Sequence, residues 1–432
     1  MQRIIIHKLG PIEDCDMKLG HFSVLTGAQA SGKSTISKCV FFCRTVKDDI
    51  FDLVLRKKLL GSEENLQESV RKFLRNKFLQ LFGTSKAMDA GMMLLYYYSE
   101  KTYVKLSLRL QEGMDYLSPN YVWIDYSSDI RYFLNHFQET EMLETDELKR
   151  RLNELFQDEY ESIFIPAGRS LITLLTSQLN YLFATMDDEQ KRSIDLCTQK
   201  YIERILKIRP LFENGIEGLM NQKQNTLDAV WDFNALNQIV EQSKAVLKGN
   251  YVYRDNEERL YIDEQHFVKI NFTSSGQQET VWILNILQHV LLNNTKAFII
   301  LEEPEAHLYP QAQKELVEIL ALIANKSCGM LLTTHSPYIL GALNNLIYAG
   351  HLAARDDIRE RVIGEVGKEL HIETCNAYYL ENGEIQPCTE PEEEGGLIIN
   401  EVIDGASSEI NGQYDRLFDD KSVQMSCFLV SH

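Results

Sequence analysis

The sequence predicts an α/β fold organised around a phosphate-binding loop, and three observations carry that prediction. A strand-like run from His21 to Thr26 leads directly into Gly27-Ala-Gln-Ala-Ser-Gly32-Lys33-Ser34, after which Ser34 to Lys47 reads as a helix with Ile36, Val40 and Phe41 on its apolar stripe. The continuous apolar run 297–301 reads as a strand buried on both faces and ends in Glu302-Glu303-Pro304. A further apolar strand, Met330 to Thr334, ends at His335. In open α/β sheets ligands bind beyond the carboxyl ends of the strands, which is where all three runs place their polar residues.

The remaining elements follow in chain order. Residues 3–9 read as a strand, and 64–82 as an amphipathic helix with Arg71, Lys72, Arg75 and Lys77 on or near one side, just after the basic run Arg56-Lys57-Lys58. That region reads either as a nucleic-acid or acidic-partner patch or as a solvated helix face. Met92 to Leu110 and Asn250 to Ile270 alternate apolar and polar residues around polar turns and read as hairpins. Helical periodicity dominates 128–160 and 170–248, without sustained heptads, so no long coiled-coil arm is expected. Ser274-Ser275-Gly276-Gln277 caps an apolar-striped helix from Gln278 to Leu292. Asn376 to Ile385 reads as a hairpin turning at Asn382-Gly383, followed by the acidic linker Glu390 to Gly396 and a helix over Leu397 to Ile403.

Composition narrows the classes. A chain of 432 residues can bury a substantial core as one large domain or two to three modest ones, and 44% hydrophobic with 25% charged residues is ordinary for a globular protein. No run approaches the roughly 20 apolar residues that cross a bilayer, and the sequence opens on the strand-like Arg3 to His7 rather than a signal peptide. A cytoplasmic protein is therefore expected. Eight cysteines without a Cys-x-x-Cys pair predict neither a zinc site nor a disulfide framework; Cys39 and Cys43 read as buried thiols. The net charge of −19 opposes non-specific coating of nucleic acid, although it leaves room for a local basic groove.

The site residues follow from the chemistry of a bound nucleoside triphosphate. Gly27, Ala28, Ser31, Gly32, Lys33, Ser34 and Thr35 form a cradle in which backbone N–H groups converge on phosphate at a helix N-terminus. Lys33 reaches the β- and γ-phosphates of ATP, and the Ser34 hydroxyl ligates Mg²⁺. Glu302 is the candidate for holding Mg²⁺ through water, Glu303 for polarising the attacking water, and His335 for donating to the γ-phosphate. Ser274, Ser275, Gly276 and Gln277 expose a helix N-terminus to an anion.

These segments, in this order, resemble the ABC-type ATPases, in the branch that holds RecF, the SMC-like repair ATPases and the ATPase half of OLD-family nucleases. Ile4 to Ile12 and Leu301-Glu-Glu-Pro-Glu-Ala-His-Leu-Tyr-Pro310 are most similar to OLD-like members, and the resemblance covers about 1–45 and 249–348. It implies an ABC-ATPase head, a P-loop sheet plus an antiparallel β lobe with an inserted helical lobe. The implied layout is a split head over 1–348 with helical insertions about 45–91 and 127–248, a closing helix and hairpin over 349–389, and an acidic linker and partner-docking tail over 390–432. Two heads would close face to face, with Ser274 and Gly276 contacting the γ-phosphate held by the other copy. The chain departs from the ABC pattern at Glu302, where Asp is usual, and at Thr273-Ser-Ser-Gly-Gln277 in place of Leu-Ser-Gly-Gly-Gln. It departs again at Tyr309, where a coupling aspartate is frequent. Ile163 to Arg169 resembles the junction into the helical lobe, which makes Arg169 a candidate γ-phosphate sensor or neighbour contact; a surface arginine at a helix start is the alternative.

The resemblance further implies a regulator in anti-phage defence that works with a separately encoded effector nuclease, as in Septu, PARIS and retron-linked systems. The residues after His335 are too few for the Toprim nuclease fused to full OLD proteins. The other readings are a RecF-like repair ATPase acting directly on DNA through Arg56 to Lys77, and an ATP-gated assembly scaffold.

Overall fold

Strand register decides where the polar ends of the three predicted strands lie. In the computed structural model, which describes residues 2–60, 65–109, 121–137, 144–174, 185–187, 194–224, 232–326, 328–353, 355, 357–366, 371–372, 374–391, 396–399, 405 and 408–418, two hairpins, a three-stranded antiparallel unit and a parallel block merge into one sheet. Its strands are β1 (Gln2–Leu9), β2 (Ile12–Leu19), β3 (Phe22–Gly27), β4 (Met93–Tyr97), β5 (Tyr103–Arg109), β6 (Tyr121–Tyr126) and β7 (Glu161–Ile165). A small separate sheet is made of β8 (Asn250–Arg254), β9 (Glu257–Tyr261) and β10 (Phe267–Lys269). The large sheet is completed by β11 (Ala297–Glu302), β12 (Gly329–Thr334), β13 (Cys375–Glu381) and β14 (Glu384–Pro387). Its eleven strands run β6-β5-β4-β1-β2-β14-β13-β3-β12-β11-β7. From β13 to β7 the pairs are parallel, and from β6 to β2 they are antiparallel.

Burial follows the pairing. In the parallel block each strand alternates between two cores: Val24, Ile299 and Leu332 face one, Leu25, Ile300 and Leu331 the other. Both faces are covered by helices, so β3, β11 and β12 are buried along their length, and Ser23, Thr26, Thr333 and Thr334 are buried with their apolar neighbours. In the antiparallel lobe Ile4, Ile6, Leu94, Tyr96, Val104 and Leu106 are buried while their neighbours along the strand are half-exposed. The fold is thus the predicted one, a P-loop sheet continuous with an antiparallel lobe, with inserted helices and no long coiled coil among the described residues.

The helices include α1 (Lys33–Arg44), α2 (Val46–Leu60), α3 (Leu66–Phe82), α4 (Ser128–His136) and α5 (Thr145–Phe156). They continue with α6 (Leu196–Ile208), α7 (Gly215–Gln224), α8 (Phe233–Leu247), α9 (Ser275–Leu292), α10 (Pro310–Ala324), α11 (Pro337–Ala353) and α12 (Arg359–Val366). Helices α1 to α3 supply one core with Ile36, Val40, Ile50 and Leu74. Helices α6 to α11 supply the other with Tyr201, Ile216, Ile239, Trp282, Leu320 and Leu343. The helix predicted to run from Ser34 to Lys47 ends at Arg44, where the Thr45 hydroxyl donates back to Phe41 O at 2.7 Å.

Two expectations are corrected. The predicted helix over Leu397 to Ile403 is absent at its described end: Ile398 bridges to Thr389, Ile399 N donates to Cys388 O at 2.8 Å, and Asn344 holds Ile398 through both its backbone groups. Residues 400–403 lie outside the described residues. The cause is tertiary, because α11 offers an Asn where the sequence shows only an apolar run.

The basic side of α3 is not a free stripe either. Lys77 is buried and pairs with Asp49, and Arg75 Nε donates to Val122 O at 3.1 Å with its guanidinium 3.8 Å from the Tyr121 ring centre. Arg71 lies over Trp123 at 5.0 Å. These arginines cap the open edge of β6, leaving Lys72 exposed.

Candidate functional site

Parallel register brings the carboxyl ends of β7, β11, β12 and β3 to one edge: Leu301 lies opposite Ile165, Glu302 opposite Thr333, and Thr334 opposite Thr26. The loop after β3 starts at Gly27, whose φ is 143° and whose absent Cβ would fall 2.2 Å from Leu380 O of β13. Only glycine permits β13 to run so close. Gly32, at φ 110°, is the N-cap of α1, and Ala28, Gln29 and Ala30 remain exposed above it. The free N–H groups of the first helical turn, including those of Ser34 and Thr35, thus point to the strand ends.

Lys33 is buried and folds back onto its own loop, donating to Gly27 O and Ala28 O at 2.8 Å each. Burial lowers its pKa, while Glu303 and Glu305 act in the opposite sense. Glu302 is buried, and burial raises its pKa, opposed by the Ser34 hydroxyl and by Ala167 N, which donates to Oε2 at 3.3 Å. Its other oxygen, Oε1, is buried without a hydrogen-bond partner. An orphaned carboxylate oxygen beside a hydroxyl at the positive end of a helix fits a hydrated divalent cation.

Glu303 is held in the left-handed region at φ 42°, where its N–H donates to Thr333 O at 2.9 Å. A glutamate there is strained, and such strain concentrates at functional positions. Its side chain is part-exposed, with Oε1 3.7 Å from His335 Nδ1. His335 stands at the end of β12 with its ring largely open to solvent.

Glu305 is the member that sequence reasoning missed. Its Oε1 accepts from the Thr334 hydroxyl at 2.7 Å and from His335 N at 3.0 Å, and Oε2 is buried without a partner. A third carboxylate within four residues of Glu302 was the available signal.

Ser274, Ser275, Gly276 and Gln277 open α9. Ser274 is the N-cap, with its hydroxyl accepting from Gln277 N at 3.4 Å in a capping box, and both serines are exposed. Gly276 packs so tightly that a Cβ would lie 2.6 Å from His307 O. Arg169 is not the surface arginine of the alternative reading. It is 0% exposed, with its guanidinium turned toward the main chain of Pro166, Glu302 and Glu303.

A cavity of 1270 Å³ lined by Lys47, Asp48, Asp49, Lys77, Lys200 and His289 among others lies between helices and contains neither Lys33 nor Glu303. Among the described residues no helix is long and apolar enough to cross a membrane.

Fold and site together define a P-loop ATPase domain: a phosphate loop, an acidic strand end and a histidine-bearing strand end on one parallel edge, joined to an antiparallel lobe. The chain belongs to the AAA ATPase domain family, which it matches over residues 1–340. No curated protein sequence matches it. Among solved structures, an Smc head bound to the C-winged helix domain of ScpA aligns at 12% identity and TM-score 0.41, covering 91% of this chain and 98% of that one. An Smc head with an extended coiled coil, bound to the C-terminal domain of ScpA from Pyrococcus furiosus, aligns at 11% identity and TM-score 0.40, covering 91% and 98%. An SMC head domain from Thermotoga maritima aligns at 10% identity and TM-score 0.36, covering 89% and 97%.

Proposed function

We propose that this chain binds and hydrolyses Mg-ATP, closes head to head on a second copy, and thereby regulates a separately encoded effector nuclease in anti-phage defence. The observation that carries the ATPase reading is the convergence of Lys33, Ser34, Glu302, Glu303 and His335 on one sheet edge. Lys33 would exchange the carbonyls of Gly27 and Ala28 for β- and γ-phosphate oxygens, with the amides of Ala28, Ser31, Gly32 and Thr35 completing the cradle. Ser34 and Glu302 would hold Mg²⁺, which when bound neutralises phosphate charge. Glu303 would orient and polarise the attacking water, and His335 would donate to the γ-phosphate.

Head-to-head closure is supported by what is left exposed. Ser274 and Ser275 present a capped helix N-terminus to solvent, and the aromatics Phe272, Tyr309 and Tyr338 beside the three site segments are all more than half exposed. The effector reading is supported by the OLD-like segment Leu301 to Pro310. The internal use of Arg71, Arg75 and Lys77 weighs against direct DNA binding through that helix.

The test is the mass of the Glu303→Gln protein by light scattering with and without Mg-ATP. A doubling with ATP is the expected result. An ATP-bound protein of unchanged mass would favour the assembly scaffold. Co-purification with a neighbouring gene product supports effector regulation, and activity against phage by this chain alone counts against it.

A further inference from the structure

We infer that Arg169 and Glu279 form a buried relay that transmits the position of the Ser274–Gln277 segment to the catalytic carboxylate Glu303. The inference rests on the ATPase reading above and adds a mechanism of communication within one chain.

The relay is continuous. Glu279 lies in the second turn of α9, and its carboxylate accepts from two consecutive backbone amides at the start of the helical stretch 169–174: Arg169 N to Oε2 and Ser170 N to Oε1, both at 2.9 Å. The Arg169 side chain returns the contact, with Nε 3.0 Å from Glu279 O and 3.3 Å from Glu279 Oε2. Its far end reaches the acidic strand end: Nη1 donates to Pro166 O and Glu302 O at 2.6 Å each, and Nη2 donates to Glu303 O at 2.9 Å. Thr173 fastens the same stretch to α9 through Gln278 O at 2.8 Å. Both side chains of the ion pair are 2% exposed or less.

Three physical features make this more than a buried staple. The guanidinium is planar and rigid, so its contacts at one end fix the direction of donors at the other. The carbonyls it grips belong to Glu302 and Glu303, and Glu303 sits at φ 42°, a conformation that persists only while its surroundings enforce it. The pair is desolvated, so a displacement of α9 that breaks it leaves uncompensated buried charge, and the strand end follows instead. The capping box ties Ser274 to Gln277, Gln278 N donates to Ser274 O at 3.0 Å and the Thr280 hydroxyl donates to Gly276 O at 2.8 Å, so a push on Ser274 or Ser275 is passed to the turn carrying Glu279. ATP contacting that turn would therefore reset the Glu303 carboxylate.

The experiment combines Glu279→Gln, Arg169→Lys and Glu303→Gln in the full-length protein. ATP affinity is read with a fluorescent ATP analogue, turnover by phosphate release, and folding by thermal melting. Glu279→Gln and Arg169→Lys are expected to keep analogue affinity within about 2-fold while lowering kcat by about 10- to 100-fold, the scale of a misplaced catalytic group. Adding Glu279→Gln to Glu303→Gln is expected to lower the residual rate no further, because the relay acts only through Glu303. Additive losses in that double variant, or loss of analogue binding together with an early melt, would assign the pair a purely structural role and overturn the relay. Wild-type kcat in both single variants would overturn it equally. A wild-type protein without ATP turnover would overturn the hydrolase reading and the relay with it, a result distinct from turnover that ignores Glu279.

Discussion

Glu305 shows what a single side chain can do without touching substrate. Burial of its carboxylate is tolerable because Oε1 takes two donors, the Thr334 hydroxyl and His335 N, and those bonds orient the end of β12 toward Glu303. Glu305→Ala leaves both donors buried without an acceptor, and the expected cost is about 1–3 kcal/mol with a matching fall in melting temperature. A lower kcat at unchanged ATP affinity should accompany it, because His335 loses the bond that sets its backbone. At this scale the phosphate loop, Glu302, Glu303 and His335 were legible, since each stands at an apolar strand's end or within a spaced glycine motif. Glu279 and the destination of Arg169 were not, because a buried carboxylate paired across 110 positions of chain leaves no local spacing, and Glu305 showed only as a third carboxylate close to Glu302.

Among the elements, α9 runs from the candidate site through the core to a large cavity. One end is a capping box with exposed serines, its middle buries Val281, Trp282 and Leu284, and its last turn carries His289 beside the large inter-helix cavity. Burial, and then Arg204 and Lys223, lower the His289 pKa to about 4, with Glu161 opposing. The folded state therefore binds fewer protons than the unfolded one between about pH 6.5 and 4, so this residue's contribution to stability falls as pH drops through that window. Asp48, on the same cavity and pushed up to about 6 by its own burial, acts with opposite sign as its charge is removed. His289→Gln is expected to lessen the acid-induced drop in melting temperature between pH 7 and 5. The expected gain is on the order of 1 kcal/mol at pH 5 after discounting for partial exposure. An unchanged pH profile would remove His289 from the account. Element type was well read wherever the period was sustained, as for α3, α9 and the β8–β9 and β13–β14 hairpins. It failed at Leu397 to Ile399, where pairing with Cys388 and Thr389 overrides a short apolar run.

The whole molecule is tied together by a few buried polar contacts between segments far apart in sequence. Asp158, just before β7, accepts from Arg44 Nη2 at the end of α1 and holds Lys47 at the start of α2, while Arg44 also reaches Gln2 of β1 and lies 3.8 Å above the Phe298 ring of β11. Asp158→Ala strands two buried cations and is expected to destabilise the fold by about 3–5 kcal/mol, measured by denaturant unfolding, without altering any residue of the loop from Gly27 to Thr35. What the sequence by itself determined is the local chemistry: a phosphate loop between strand and helix, acidic and histidine-bearing strand ends, and strands apolar enough to be buried on both faces. Those are readable because glycine spacing and continuous apolar runs are properties of adjacent residues. The tertiary structure alone decided that β13 threads beside Gly27, that the arginines of α3 cap a sheet edge, and that Arg169 links α9 to Glu303. Each joins elements distant in the chain, and only folding brings their groups within hydrogen-bonding distance.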